Sequence, residues 1–355
     1  ILSVMYGSIQ STIQSIWTTG RKTKLSNDWL VGNCPCCTHN GETPDKRSRG
    51  HLHVDAAGVV SYGCFNCKFT ARYVPGEQVG YKLRKFLGWC GASESEIQRL
   101  IFEALRLQND MTVLGIQKPK VEKEEIKVRF KPIPLPEEAD SILGIAAFMM
   151  LKEESDQIFD KDMDEVVKYG YDRKVNFERY DLHWSPSRQI RMNRRLIVPF
   201  YWKNEIIGYT ARAIDSDIVP KYFTEVDSGF IFNMDRQTDN RQFVTVMEGP
   251  FDAMAIDGVA TLHNEISEQQ IQMLESLNRE IIIIPDFQKS GTPMVQTAVD
   301  HGWSVAFPTW AEKHKDASAA TAKYGSVFVM KDILENVESQ KLKIQVKWRP
   351  YGRIS

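Results

Sequence analysis

The sequence predicts an α/β protein with a parallel-sheet core. A small β-rich cysteine module precedes the core, and a mixed α+β basic segment lies between them. Three observations predict this. Four cysteines fall in two C-x-x-C pairs near the N-terminus. Two arginine-bearing strand patterns follow one another in the middle of the chain. In the C-terminal half, apolar strand-like runs each lead into an acidic residue and then into a helical pattern, the order that builds parallel sheets.

At 355 residues the chain has room for two or three domains. Hydrophobic residues at 42% and charged residues at 26% are ordinary for a soluble globular protein. No apolar run approaches the roughly 20 residues of a membrane helix, so a membrane partner is not expected. The opening ILSVMYGSIQ lacks the basic start and small-residue cleavage pattern of a signal peptide, and cytoplasm is the expected compartment. A net charge of −1 argues against a globally basic nucleic-acid coat. Local patches remain: residues 20–72 carry eight Lys/Arg against four Asp/Glu, and residues 181–222 carry seven against four. No internal repeat is visible.

The cysteine module comes first, at 1–75. Cys34 and Cys37 form one pair and Cys64 and Cys67 the other, with 26 residues between the pairs. Paired thiolates on two tight turns supply the four sulfur ligands of a structural zinc site, and the spacing suits a ribbon more than a compact finger. HLHVDAAGVVSYGC reads as two strands across a turn. Cys36 lies inside the first pair and complicates the assignment, and His39, His51 and His53 are possible substitutes. A lone His on a strand is more often a packing or surface residue, so all three are left out of the expected ligand set. Cys90 reads as a core thiol. Arg47, Arg49, Phe65, Lys68 and Phe69 give the module cations and rings suited to single-stranded nucleic acid, or simply a solvated basic face.

From 74 to 110 the pattern is helical, with Ser93 as an N-cap. The proline-punctuated, charged stretch 118–140 reads as an extended tether, so 76–140 is a helical segment and linker. Residues 140–171 read as helices. A basic subdomain at 141–240 carries RRLIVPFYWKNEIIGYTARA, two strands across a turn at Lys203-Asn204, followed by PKYFTE. In 241–335, one strand delivers Glu248, and a Gly-Pro turn starts a helix with Asp252. A second strand, EIIIIPDF, delivers Asp286, and a third places Asp316 just beyond it. Ligands gather at the carboxyl ends of strands in open α/β sheets. Three such ends offering carboxylates suit magnesium, although each acid alone could merely cap the following helix. A tail at 336–355 follows an amphipathic helix.

These residues carry a resemblance. EGPFDA, then a hydrophobic strand into PDFQKSG, then KD resembles the TOPRIM domain of DnaG-type primases and topoisomerases. RRLIVPF, GYTARA and PKYF are similar to the basic segment that precedes TOPRIM in DnaG-type primases. With a four-cysteine ribbon ahead, residues from about 30 to 330 most resemble the stand-alone DNA primases of T-even-like bacteriophages. The resemblance implies synthesis of RNA primers from ribonucleoside triphosphates on a single-stranded DNA template, in the cytoplasm of an infected bacterial host. It implies structural Zn2+ and catalytic Mg2+ or Mn2+. Glu248 would be the metal-proximal carboxylate or general base, with Asp252, Asp286 and Asp316 as ligands directly or through water. Arg194, Arg195, Arg212 and Lys221 would hold template or incoming triphosphate.

Two positions depart from the family's pattern: Gln288 stands where a second aspartate is usual, and Ser318 where an acid or Asn is usual. Both departures remove negative charge, so weaker metal affinity or a manganese preference is expected. They also keep open an alternative, an inactive TOPRIM module that binds single-stranded DNA or a replication partner. A TOPRIM nuclease would not require the ribbon, and a topoisomerase would need a further large domain with a nucleophilic tyrosine. The chain has no G-x-x-x-x-G-K-[ST] phosphate loop. A separate replicative helicase is therefore the expected partner, contacting the C-terminal stretch from Val327.

Overall fold

The computed structural model describes residues 2–119, 128–150, 161–237, 241–314 and 316–354. The chain divides into two compact units, 1–126 with 275–280, and 127–274 with 281–355.

The first unit opens with helix α1 (Leu2–Thr18), which the sequence reading did not include. Its inner stripe is Ile9, Ile13 and Trp17, one residue per turn and all buried. Five strands follow: β1 (Thr23–Ser26), β2 (Trp29–Gly32), β3 (Gly50–Val54), β4 (Val60–Cys64) and β5 (Thr70–Tyr73). They form an antiparallel meander in chain order. The strands expected within 51–64 are β3 and β4. The helical stretch expected from 74 to 110 is two helices, α2 (Tyr81–Trp89) and α3 (Glu94–Val113). Ser93 breaks them apart and caps α3 through a reciprocal capping box with Glu96. Trp17 packs edge-on against Tyr62 at 5.2 Å, and Tyr62 lies 4.0 Å from Phe86, so one aromatic triad joins sheet to helices. Cys90 belongs to this core, where burial pushes its thiol up to about 12.

Part of the expected tether, 120–127, lies outside the described residues, and 128–139 forms neither helix nor strand. The second unit then begins with β6 (Asp140–Ser141), α4 (Ile142–Met150), α5 (Lys161–Asp172), α6 (Phe177–Tyr180) and β7 (His183–Trp184). Residues 151–160 of the expected helical stretch lie outside the described residues. The hairpin is β8 (Arg195–Trp202) and β9 (Glu205–Ala213), joined by Lys203 and Asn204 at φ 52° and 67°. Two left-handed residues in a two-residue loop match the right-handed twist of the flanking strands. With β10 (Tyr222–Val226) they complete an antiparallel sheet of order β10-β9-β8-β7-β6.

The α/β part follows as β11 (Phe243–Met247), α7 (Pro250–Ile256), β12 (Val259–Ala260), α8 (Glu268–Ser276), β13 (Glu280–Ile283), α9 (Thr292–His301), β14 (Ser304–Ala306), α10 (Ala317–Tyr324), α11 (Ser326–Glu335), β15 (Val337–Glu338) and α12 (Lys341–Trp348). The sheet order is β12-β11-β13-β14-β15. The pairs β11–β12 and β13–β14 are parallel, as expected, and β15 closes one edge antiparallel. Runs such as Ile281–Ile284 are buried throughout, the mark of a strand covered on both faces.

The stretch 336–355 is not an unpacked tail. Its helix α12 buries Ile344 and Trp348, and Trp348 donates from Nε1 to Thr292 Oγ1 at 3.2 Å. Phe287 lies 6.2 Å from Trp348 and 5.5 Å from Tyr351, so α12 walls the loop that follows Asp286. Among the described residues no helix is long and apolar enough to cross a membrane.

Candidate functional site

The four cysteines meet. The Sγ atoms of Cys34, Cys37, Cys64 and Cys67 all lie within 4.8 Å of one another, with Cys34 to Cys67 at 3.9 Å and Cys37 to Cys64 at 3.8 Å. A tetrahedron with Zn–S bonds of about 2.3 Å has edges of roughly 3.8 Å, so the donors already stand at zinc spacing. Each pair sits on a turn that aims N–H groups at sulfur. Cys36 N donates to Cys34 Sγ at 3.3 Å and Asn66 N to Cys64 Sγ at 3.4 Å. The Tyr62 hydroxyl adds a bond to Cys34 Sγ at 3.0 Å. The hydrogen bonds from Cys36 and Tyr62, set against burial, hold the Cys34 thiol down to about 5.

Cys36 resolves the open ligand choice. It is fully buried and lies outside the four-sulfur group, and burial with the neighbouring Cys34 pushes its thiol up. The three histidines are held in ring contacts: His39 stacks on Trp89 at 4.7 Å, His51 on Phe65 at 4.4 Å, and His53 lies 4.9 Å from Trp29. Asp45 organises the loop between the pairs, accepting from the backbone N–H groups of Cys34, Arg47 and Arg49 at 2.7–2.9 Å.

The acidic residues share an edge of the α/β sheet. Glu248 directly follows β11, Asp252 lies in the first turn of α7, Asp286 follows β13, and Asp316 is the N-cap of α10. Their charges act on one another. Burial and the Asp286 carboxylate push Glu248 up, with His263 opposing. Burial, Asp316 and Asp286 push Asp252 up to about 7, against the Ser318 N–H and Arg212. At Gly249 the turn passes close to the carboxylate: a Cβ there would come 3.1 Å from Asp252 Oδ2.

Among the described residues only the four cysteines form a group of three or more metal donors within 4.8 Å of one another. The acids are therefore spaced more widely. Their hard oxygen donors suit magnesium or manganese, and their spacing suits a cation that keeps several of its waters. Asp316 also caps its helix, accepting from Ala319 N at 2.8 Å.

The two neutral replacements act on the remaining carboxylates. Gln288 donates from N to Asp286 O at 2.7 Å and from Nε2 to Asp286 Oδ2 at 3.4 Å. Ser318 donates from N to Asp252 Oδ1 at 2.9 Å, and its hydroxyl accepts from Arg173 Nη1 at 2.9 Å.

The four expected cations have three different placements. Arg194 is held by three carboxylates, Asp162 at 2.6 Å, Asp215 at 2.5 Å and Glu165, which together push its guanidinium up. Arg195 has no exposed surface and donates to the backbone oxygens of Ile190, Ala211, Lys221 and Pro220. Both are thus engaged in holding the hairpin and the loop before β10. Arg212 is turned toward the acids: it lies 4.6 Å from the Phe251 ring, beside Asp252, and donates to the Tyr222 hydroxyl. Lys221 is exposed one residue away from Tyr222.

Arg173 and Tyr169 were not anticipated. Their four-residue spacing at the end of α5 was the one signal available, and the contact with Ser318 spans 145 positions.

No family model matches the chain, and no curated protein sequence matches it. Several solved structures are similar. The zinc-binding and RNA polymerase domains of the Aquifex aeolicus primase share 15% identity over 99% of this chain and 93% of that one, with a TM-score of 0.42. The RNA polymerase domain of Mycobacterium tuberculosis primase DnaG shares 18% over 57% of this chain and 84% of that one, with a TM-score of 0.46. A DnaG primase catalytic domain bound to single-stranded DNA shares 18% over 56% of this chain and 79% of that one, with a TM-score of 0.43.

Proposed function

We propose that the chain is a DNA primase of the kind found in T-even-like bacteriophages, joining ribonucleotides on a single-stranded DNA template by metal-dependent nucleotidyl transfer. The observation that carries this reading is the meeting, within one unit, of Glu248, Asp252, Asp286 and Asp316 with the inward-turned Arg212. The motif order in the sequence, four-cysteine module, basic hairpin, acidic sheet edge, supports it further.

Glu248 and Asp286, with Asp316, are the residues that would hold a divalent cation. Such an ion supplies charge neutralisation on the triphosphate and lowers the pKa of the attacking 3′-hydroxyl. Transfer would form the bond from the 3′-oxygen to the α-phosphorus, break the bond to pyrophosphate and release the hydroxyl proton, which Glu248 would accept in the general-base alternative to holding the ion. Arg212 and Lys221 would bind phosphate, while Arg194 and Arg195 position them from behind. Positioning and electrostatics lower the barrier here. The zinc module would meet the template with Phe65, 68% exposed and stacked on His51. A separate replicative helicase is proposed as partner, and the exposed face of α12, Leu342 and Val346, offers it apolar surface.

Gln288 and Ser318 favour one other reading, a binding module that has lost synthesis. De novo RNA synthesis on mixed-sequence single-stranded DNA, with Mg2+ or Mn2+ and helicase supplied, separates the two. The primase reading expects short RNA, more with Mn2+, and about a hundredfold or greater loss in Glu248→Gln. That variant should melt no lower than wild type, because it removes repulsion with Asp286. Zinc-loaded, folded protein that makes no RNA with either metal would sink the primase reading and leave the binding module.

A further inference from the structure

Phe287 directly follows Asp286 and is surrounded by aromatic side chains from later in the chain. Its ring centroid lies 5.5 Å from Tyr351, 6.1 Å from Trp310, 6.2 Å from Trp348 and 6.5 Å from Phe307. Trp348 and Tyr351 lie 4.9 Å from each other. Two of these rings are pinned from behind: Trp348 Nε1 donates to Thr292 Oγ1, and Trp310 N donates to Asp332 Oδ2 at 3.2 Å. Trp310 and Trp348 are buried, whereas Phe287 is half-buried.

The same cluster closes the turn that carries Asp286. Phe287 is the central residue of a three-residue turn, made by Gln288 N donating to Asp286 O at 2.7 Å. Gly291 N then donates to Gln288 O at 3.0 Å, which folds the chain back onto Asp286. A Cβ at Gly291 would collide with Asp286 O and come 3.2 Å from Trp348 Cη2, so Gly291 fits between the Asp286 backbone and the Trp348 ring. Single hydrogen bonds hold such a turn weakly, and a ring packed at its centre holds it firmly. With the turn fixed, the direction of the Asp286 carboxylate is fixed as well.

We propose that Phe287 is a positioning residue for Asp286, and that Trp348 and Tyr351, brought by α12 and the turn after it, hold its ring in place. The C-terminal segment is then part of the metal-binding edge, although it supplies no ligand. Groups behind a ligand set how well that ligand is presented to its ion, and their loss weakens metal binding without touching the donor atoms. The inference deepens the metal-dependent reading and rests on it for the identity of the ion, a divalent cation with oxygen ligands. The ring contacts themselves do not depend on that reading.

Mn2+ titration of the zinc-loaded full chain, followed by the paramagnetic resonance of free Mn2+ well below the melting temperature, reads the positioning directly. Tyr351→Ala should weaken Mn2+ binding roughly tenfold, while Tyr351→Phe, which keeps the ring, should match wild type. Phe287→Ala should weaken it at least as much, and Phe287→Leu should fall between. A purely structural role would lower the melting temperature of these variants and leave the Mn2+ affinity of the folded protein unchanged. Coupling is reciprocal, so Mn2+ should also slow hydrogen exchange in α12 of wild type, and less so in Tyr351→Ala. Equal Mn2+ affinity in Tyr351→Ala and wild type, an equal loss in Tyr351→Phe and Tyr351→Ala, or no Mn2+ bound by wild type would each overturn the inference. Mn2+ binding that depends on Tyr351 in a protein that makes no RNA overturns the primase reading and leaves the positioning role standing. RNA synthesis with the same Mn2+ affinity in wild type and Tyr351→Ala does the reverse.

Discussion

The protein brings two sets of metal-donor residues together by opposite means. The sulfur site is closed by local chain geometry, with paired cysteines on turns whose own N–H groups point at sulfur. The acidic edge draws its four carboxylates from three stretches of chain, and three of them already have a duty: Asp316 caps α10, Asp252 accepts from Ser318, and Asp286 accepts from Gln288. On the proposed reading, the first would keep its ion and the second would work around one. A structural site gains from four close donors; an exchange site gains from spacing that leaves water and substrate oxygens a place.

The largest expected effect tests the closed site. Cys37→Ser should abolish stoichiometric zinc and leave the first unit unfolded, since structural zinc contributes on the order of 10 kcal/mol or more to small modules. Metal analysis with limited proteolysis reads this out, and Cys36→Ser should retain zinc. Loss of zinc in both variants would break the distinction between ligand and neighbour.

Next in size is Asp45→Ala, which strands three backbone donors and the Arg49 side chain. It should cost about 3 kcal/mol in the urea transition of the first unit. An unchanged midpoint would mean that the loop between the cysteine pairs orders itself without Asp45.

Gln288→Asp sharpens the other side. A second carboxylate should tighten Mn2+ binding roughly tenfold, about 1.4 kcal/mol, measured by titration calorimetry. Affinity that stays level or falls would show that the Gln288 amide is the better partner for Asp286.

The smallest effect concerns acid. The hydrogen bond from Arg194 holds Asp215 below the usual carboxylate range. Its stabilising contribution is therefore complete above the unfolded value, about 3.9, and is lost as pH falls through the lower folded value. Asp215→Asn should flatten the acid limb of the stability curve below about pH 4. The same acid limb in wild type and variant would mean that solvent screens this pair fully.

What the sequence disclosed followed the range of the interactions involved. The hairpin turn at Lys203-Asn204, the Ser93 cap and the cysteine knuckles are set within a few residues, and the sequence reading placed each of them. The strand ends bearing Glu248 and Asp286 also showed, because a buried run ending in an acid is a local pattern. Asp316, expected just beyond a strand, lies ten residues past Ala306, the end of β14, and is instead the N-cap of α10. Direction was harder. Nothing near Arg195 in the chain says that its guanidinium turns inward to Ala211 and Pro220, and nothing near Arg173 points to Ser318. The helix α1 was missed although Ile9, Ile13 and Trp17 repeat at helical spacing; only their burial against the sheet gives that stripe meaning.

The wall that α12 forms beside Asp286 has a consequence for the order in which the protein is made. Thr292 and Trp348, which bond to each other, are 56 positions apart. At the ribosome's pace of about 5–20 residues per second, the loop after Asp286 emerges roughly 3–11 s before the helix that backs it. The outermost sulfur ligands, Cys34 and Cys67, are only 33 positions apart and come much earlier. A nascent chain can therefore close its zinc knuckles before the Asp286 loop has its backing, so this part of the acidic edge matures late in translation.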